Sequence, residues 1–94
     1  MKRPYHFTLK EIPDEYLELA AELTLWRAVI DQQIQDFLSE EQTEEARLAK
    51  GRAQIWLRGK TADFWTVCYL AALDPLDTRR AIFVLVGGED VLYR

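Results

Sequence analysis

Residues 63–83 read DFWTVCYLAALDPLDTRRAIF, and this stretch decides the fold. It predicts two short helices joined by a tight turn, because Asp74 can cap the second helix and Pro75 suits its first position. The first helix is predicted over residues 62–73 and the second over residues 75–85, before a pair of glycines. The outline is that of a helix-turn-helix, and no other segment has a spacing that indicates a molecular role.

Two longer helices are predicted upstream of this pair. The first runs from Asp14 to about Leu38, and its apolar stripe at steps of three and four is Leu19, Leu23, Trp26, Ile30, Ile34 and Phe37. Thr43 can cap a second helix, which Gly59 would end. Together these elements predict a small all-α domain of four helices, with a helix-turn-helix-like C-terminal pair packed on the long first helix. Its expected core includes Trp26, Ile30, Trp56, Phe64 and Val67.

The length of 94 residues suits one domain, with an irregular N-terminal arm over residues 1–12 and a tail over residues 87–94. Residues 82–93 are apolar for a terminus, so we expect them to join a homodimer interface, as helix or as hairpin. No apolar run is long enough for a membrane span or a secretory signal, and the single cysteine, Cys68, suits a reducing compartment. We therefore expect a cytoplasmic protein with no membrane partner.

Charge is distributed unevenly along the chain, which has a formal net charge of −4. Residues 1–42 contain four basic and nine acidic side chains, whereas residues 43–82 contain seven basic and five acidic ones. An acidic protein is attracted only weakly to phosphate in general. The basic segment is nevertheless compatible with binding to a specific nucleic-acid site.

The leading functional hypothesis is a small non-enzymatic regulatory protein that binds DNA through its fourth helix. Ala72 would occupy the turn position that often holds glycine, and Thr78 and Ala81 would face inward. The predicted binding residues are Lys60, Leu76, Arg79 and Arg80. Either arginine could contact guanine or phosphate, and Lys60 would contact the backbone. Asp77 opposes this hypothesis, because a carboxylate repels phosphate.

The alternative is a protein-binding accessory or inhibitor protein. It would act through the acidic N-terminal half, or through an aromatic patch of Trp65 and Tyr69, four residues apart on the third helix. A continuous positive stripe along the fourth helix would favour nucleic acid, and an exposed apolar patch would favour a protein partner.

Catalysis has little support in the sequence. His6 and Cys68 are the only histidine and the only cysteine, and no sequence feature pairs them as base and nucleophile. Cys68 is expected to be a buried, slow-reacting thiol. Metal-ligand spacings and a glycine-rich phosphate loop are both absent from the sequence, so we expect no enzyme, no metal and no cofactor.

Three blocks of sequence carry a resemblance to a known group. They are Trp26-x-x-Val29 with a following Asp, Ala53-x-x-Trp56-Leu57, and Asp63-Phe64-x-x-Val67-Cys68-x-x-Ala71-x-Leu73-Asp74-Pro75 with Arg79 downstream. In these blocks, within residues 23–82, the chain resembles small uncharacterised proteins of bacteriophages and proteobacterial prophages. That group usually carries Gly where this chain has Ala72, and an aliphatic residue where it has Thr78. The resemblance implies a small intracellular protein, phage-like and regulatory or accessory in role.

Overall fold

Four α-helices and a short 3₁₀ helix make up the part of the chain that the structure, a computed structural model, describes: residues 14–94. The helices are α1 (Asp14–Leu38), α2 (Glu44–Leu57), α3 (Ala62–Leu70) and α4 (Pro75–Val86), and the 3₁₀ helix is Glu89–Tyr93. No strand occurs within the described range, and the prediction of a small all-α fold is confirmed. The predicted N-terminal arm and His6 lie outside the described residues.

Local capping sets where α2, α3 and α4 begin. The hydroxyl oxygens of Thr43 and Thr61 each accept a hydrogen bond, at 3.1 Å, from the backbone N–H three residues further on. The Asp74 carboxylate accepts two, from the N–H groups of Leu76 at 2.9 Å and Asp77 at 3.0 Å. Each cap satisfies donors that the helix itself leaves free and is worth about 1 kcal/mol. All three helix starts lie where the sequence predicts them.

The longest helix, α1, is the base on which α2 and α3 pack. Its buried residues, Ile30 and Phe37, both belong to its second half. In its first half, Tyr16, Leu19 and Leu25 are exposed with respect to the rest of the described chain. The core therefore lies beside the C-terminal half of α1.

One hydrophobic core connects all the helices. Its buried members are Ile30, Phe37, Ala53, Leu57, Phe64, Val67, Cys68, Ala71, Ile82, Val86 and Leu92. Trp26 and Trp56 pack against its margin, and the Trp56 ring meets the Phe64 ring edge-on with centroids 4.9 Å apart. The prediction that the two tryptophans share a core with Ile30, Phe64 and Val67 is confirmed.

The C-terminal segment folds back onto α2. Leu92 is fully buried, and its carbonyl oxygen accepts hydrogen bonds from Gln54 Nε2 at 3.1 Å and from Arg58 Nε at 2.7 Å. α4 continues to Val86 and stops at Gly87, whose φ of 100° is left-handed, so this segment is helical rather than a hairpin. The homodimer stays a prediction. Leu92 packs inside its own chain, so the apolar side chains left for an interface are mainly those of α4.

Candidate functional site on the fourth helix

The turn between α3 and α4 places one residue in a left-handed conformation. α3 ends at Leu70, and Ala72 has a φ of 55°, at the position where the sequence predicts a glycine-like geometry. The Ala72 N–H donates to the Tyr69 carbonyl at 3.0 Å, and the Leu73 N–H donates to the Cys68 carbonyl at 2.8 Å. α3 ends before its predicted limit of residue 73, because a left-handed residue interrupts the helical hydrogen-bond pattern.

α4 has two faces of different character. Its inner face packs on the core, with Pro75, Ile82 and Val86 buried and Thr78, Arg79 and Phe83 half-buried. Its outer face consists of Leu76, Asp77, Arg80, Ala81, Val84 and Leu85, all of which are exposed. The expectation that Ala81 faces inward is wrong. Ile82, two helical turns after Pro75, occupies that side instead.

Arg79 belongs to the inner face, and the prediction that it points outward is wrong. Its Nε donates to the Arg58 carbonyl at 2.7 Å, and its Nη2 lies 3.6 Å from a Glu89 carboxylate oxygen. Its guanidinium carbon also lies 4.9 Å from the centroid of the Phe83 ring. With these contacts its side chain is only 26% exposed. Arg79 therefore joins α4 to the α2–α3 loop and to the 3₁₀ helix, and it is not available for a groove in front of α4.

The four predicted nucleic-acid-binding residues do not form one surface. Leu76 and Arg80 lie on the outer face, where Arg80 is 3.9 Å from Asp77 in an exposed pair of little energetic value. Lys60 lies instead over the ring of Tyr93 of the 3₁₀ helix, and Arg79 lies beside Glu89 of the same helix. The outer face thus has one acidic and one basic side chain, with no continuous positive stripe.

The two residues of the predicted aromatic patch do meet. The rings of Trp65 and Tyr69 have centroids 6.5 Å apart and are tilted by 54°. The Trp65 indole N–H donates to the Gly59 carbonyl at 3.1 Å, and its ring packs against the core. Tyr69 is exposed. Trp65 therefore holds the α2–α3 loop in place, and Tyr69 is the member of the pair that a partner could contact.

Cys68 is fully buried beneath the turn. Burial raises the pKa of its thiol above the ordinary value of 9.0, with a hydrogen bond to Thr78 acting in the opposite direction and the charge of Asp74 adding to the rise. A buried thiol with a raised pKa is a poor nucleophile at neutral pH. Among residues 14–94, no three His, Cys, Asp or Glu side chains are grouped so as to hold a metal ion.

An open cleft between the end of α1 and the start of α2 was not expected from the sequence. It has a volume of about 390 Å³ and is lined by Gln32, Gln35, Asp36, Ser39, Glu41, Thr43, Glu45, Ala46 and Ala49. Its carboxylates, Asp36, Glu41 and Glu45, come from α1, the α1–α2 loop and α2, and its whole lining falls within residues 32–49. The described helices also include none that is long and apolar enough to cross a membrane.

Comparisons with protein-family models, with curated proteins and with solved structures gave no significant match to this chain. The resemblance to phage proteins stays a prediction. The function has to be argued from the geometry of α4 itself.

Proposed function

We propose that this protein is a protein-binding accessory module that docks on its partner through the outer face of α4. The observation that carries the proposal is the exposure of three large apolar side chains on that face. Val84 is 81% exposed, Leu85 62% and Leu76 51%. Val84 lies in the middle of the outer face, and Leu76 and Leu85 lie at its two edges, on a helix whose opposite side packs on the core. A helix presents anchors to an apolar groove in this way.

The chemistry of the outer face suits a protein partner better than a polyanion. Leu76 and Val84 are two turns apart, with Arg80 between them at steps of four, and Ala81 beside Val84 is small enough to let another chain approach closely. Asp77 and Arg80 cancel in charge, so docking requires no net charge on the partner. The N-cap and the first turn of α4 also provide the Asp74 and Asp77 carboxylates, which would repel a phosphate backbone.

Rigidity of the helix supports the same proposal. Asp74 caps the start of α4 with two hydrogen bonds, and the helix ends at the left-handed Gly87. Its inner face packs on the core. A helix that is already ordered loses little conformational entropy on binding, so more of the energy of apolar burial appears as affinity. Burying a side chain such as Leu or Val is worth roughly 1.5–3 kcal/mol. Two or three such anchors would contribute roughly 3–9 kcal/mol before the cost of association is subtracted.

Nucleic-acid binding is the second candidate, and one observation favours it: the left-handed Ala72 between two helices, as in helix-turn-helix proteins. In that case Arg80 would supply the groove contact. A regulatory or accessory role, in the cytoplasm and of phage type, is compatible with either partner. The single free thiol is the reason for proposing a reducing compartment.

The test of the protein-docking proposal is a pair of charged variants on two exposed apolar positions. Val84→Asp places a charge in the middle of the outer face. Ile55→Asp makes the same change at an exposed position on α2, where Ile55 is also more than half exposed. Proteins captured from the native host by the wild-type chain are identified, purified and titrated against all three proteins. We expect Val84→Asp to weaken binding at least tenfold and Ile55→Asp to leave it unchanged.

Two results would overturn the proposal. One is a captured partner that binds Val84→Asp as tightly as wild type. The other is a DNA fragment of the native genome that binds at micromolar protein in low salt and is lost with Arg80→Ala. Light scattering at high concentration tests whether the outer face binds a second copy of this chain. In that case the wild-type chain is a dimer and Val84→Asp is a monomer.

A further inference from the structure

Three cationic side chains converge on Tyr93, on the side of the domain where the end of α2, the inner face of α4 and the 3₁₀ helix meet. The Arg58 guanidinium carbon lies 4.5 Å from the centroid of the Tyr93 ring, and Lys60 Nζ lies 5.2 Å from it. Arg79 lies next to this pair, because its Nε donates to the backbone carbonyl of Arg58. The three cations come from two elements that are about twenty residues apart along the chain, so only the tertiary fold brings them together.

The two arginines are held in place by backbone carbonyls. Arg58 Nε donates to the Leu92 carbonyl at 2.7 Å, and Arg79 Nε donates to the Arg58 carbonyl at 2.7 Å. Each guanidinium thus uses its inner nitrogen for anchoring, and Arg79 Nη2 faces Glu89 at 3.6 Å. Gly59 helps to position Arg79, since a Cβ at Gly59 would lie 2.8 Å from Arg79 Cδ. A guanidinium fixed in this way has already lost the rotamer freedom that ligand binding would otherwise cost.

The positive charge of this group is not balanced within the described part of the chain. Arg79 has one carboxylate neighbour, Glu89, which is half exposed. The next acidic residue of the 3₁₀ helix, Asp90, is paired with Arg94 at 3.4 Å. Three cations and one carboxylate leave a formal charge of +2 in a chain whose net charge is −4. The negative end of the α2 dipole offsets part of this charge and no more than about half a unit.

The tyrosine itself responds to this positive environment. The pKa of Tyr93 is lowered from its ordinary value of 10.0, first by hydrogen bonding from the Lys60 ammonium and then by the charge of Lys60 and the contact with Arg79. Tyr93 and Lys60 are both exposed. The group therefore combines two exposed residues, Lys60 and Tyr93, with two half-buried arginines held by backbone carbonyls.

We propose that Arg58, Lys60, Arg79 and Tyr93 form a binding site for a doubly charged phosphate, either inorganic phosphate or the terminal phosphate of a small monoester. Guanidinium groups match the spacing of phosphate oxygens, an ammonium adds a point charge, and a phenol adds one neutral donor. A dianion matches the uncompensated charge of the site, which a monovalent anion neutralises only in part. The site lies on the side of α4 opposite to the outer face, so it goes beyond the proposed docking function and does not depend on it.

The test is a titration of the full chain with sodium phosphate against sodium chloride at matched ionic strength, followed by amide chemical shifts and by thermal unfolding. We expect saturable shifts centred on residues 58–60, 79 and 93 with phosphate and none with chloride. At a tenfold excess over Kd, Tm should rise by roughly 5–10 °C. A nucleoside monophosphate is titrated in parallel. Tighter binding than inorganic phosphate identifies a monoester ligand, and equal binding identifies the free ion.

Two variants and one control assign the binding to these residues. Lys60→Ala removes an exposed cation, and Tyr93→Phe removes the hydroxyl while keeping the ring. Each should weaken phosphate binding, Lys60→Ala by about tenfold or more. Arg80→Ala removes an equally exposed cation from the outer face and should leave binding unchanged. Phosphate shifts no larger than those with chloride would overturn the proposal, as would equal phosphate binding by Lys60→Ala and wild type. Val84→Asp should bind phosphate normally, which separates this site from the docking face.

Discussion

The two faces of α4 are made from the same kinds of residue and have opposite environments. The inner face contains Ile82 and Val86, which are buried, and the outer face contains Val84 and Leu85, which are among the most exposed apolar residues in the described chain. All four lie within five consecutive positions, so hydrophobicity alone does not separate them. The buried pair differs from the exposed pair only in lying on the side of the helix that meets the core. An apolar run in a short helix therefore contains both core residues and binding residues, and their angular position tells them apart.

The largest expected effect comes from truncating a matched pair of residues on these two faces. Ile82→Ala removes a buried side chain from the core and should lower the free energy of unfolding by about 2–5 kcal/mol. Val84→Ala on the outer face should change it by less than about 0.5 kcal/mol. Urea denaturation of both variants measures the difference. Equal losses from the two would show that the outer face is also packed, and the contrast between the faces would fail.

A substitution at Gly59 tests the contact by which Arg79 joins the inner face of α4 to the α2–α3 loop. Its φ of 72° is left-handed, and an added Cβ would lie 2.8 Å from Arg79 Cδ and 3.2 Å from Phe64 Cε1. Gly59→Ala should therefore destabilise the protein by about 1–3 kcal/mol. Gly51→Ala is the matched control, because Gly51 lies inside α2, where an added Cβ would meet nothing within 4 Å. That change should stabilise by about 0.5–1 kcal/mol. A neutral Gly59→Ala would contradict the close approach of Arg79.

A substitution at Ala72 tests the turn between α3 and α4, which sets the direction of α4. A left-handed conformation costs a non-glycine residue roughly 1–2 kcal/mol, which glycine avoids. Since glycine also gains entropy in the unfolded chain, Ala72→Gly should stabilise by about 0.5–1 kcal/mol net. Thermal unfolding measures the change. The control is Ala62→Gly at the first position of α3, where glycine should lower the stability instead of raising it. A loss of stability in Ala72→Gly would mean that the turn is not left-handed in solution.

The smallest expected effect is a pH dependence from Cys68 under the inner face. Its pKa is raised from 9.0 in the folded protein, so above pH 9 the unfolded chain loses the thiol proton while the folded protein keeps it. The stabilising contribution is complete below the unfolded pKa and is lost as the pH rises through the folded pKa. The wild-type free energy of unfolding should thus fall more steeply above pH 9 than that of Cys68→Ala. Rapid labelling of Cys68 by a thiol reagent at neutral pH would refute its burial.

Much of the fold follows from local sequence signals. Thr43, Thr61 and Asp74 cap helices because each side-chain oxygen reaches an N–H two or three residues away. The apolar stripe of α1 and the turn at Ala72 are equally short-range, since their geometry depends on steps of four residues or fewer. Local interactions of this kind are the same in almost any tertiary context, and for that reason the four helices could be predicted.

The functional surfaces depend on contacts that are distant in sequence. Arg79 was expected to face outward, but its Nε bonds to the carbonyl of Arg58 and so belongs to the inner face. Arg58 and Lys60 meet Tyr93 because the neighbouring Leu92 is buried and its carbonyl accepts a hydrogen bond from Arg58. The sequence by itself determined that α4 is a helix with apolar and basic residues. The tertiary structure alone decided which of them face solvent, because the rotation of a short helix about its axis is set by the neighbours on which it packs.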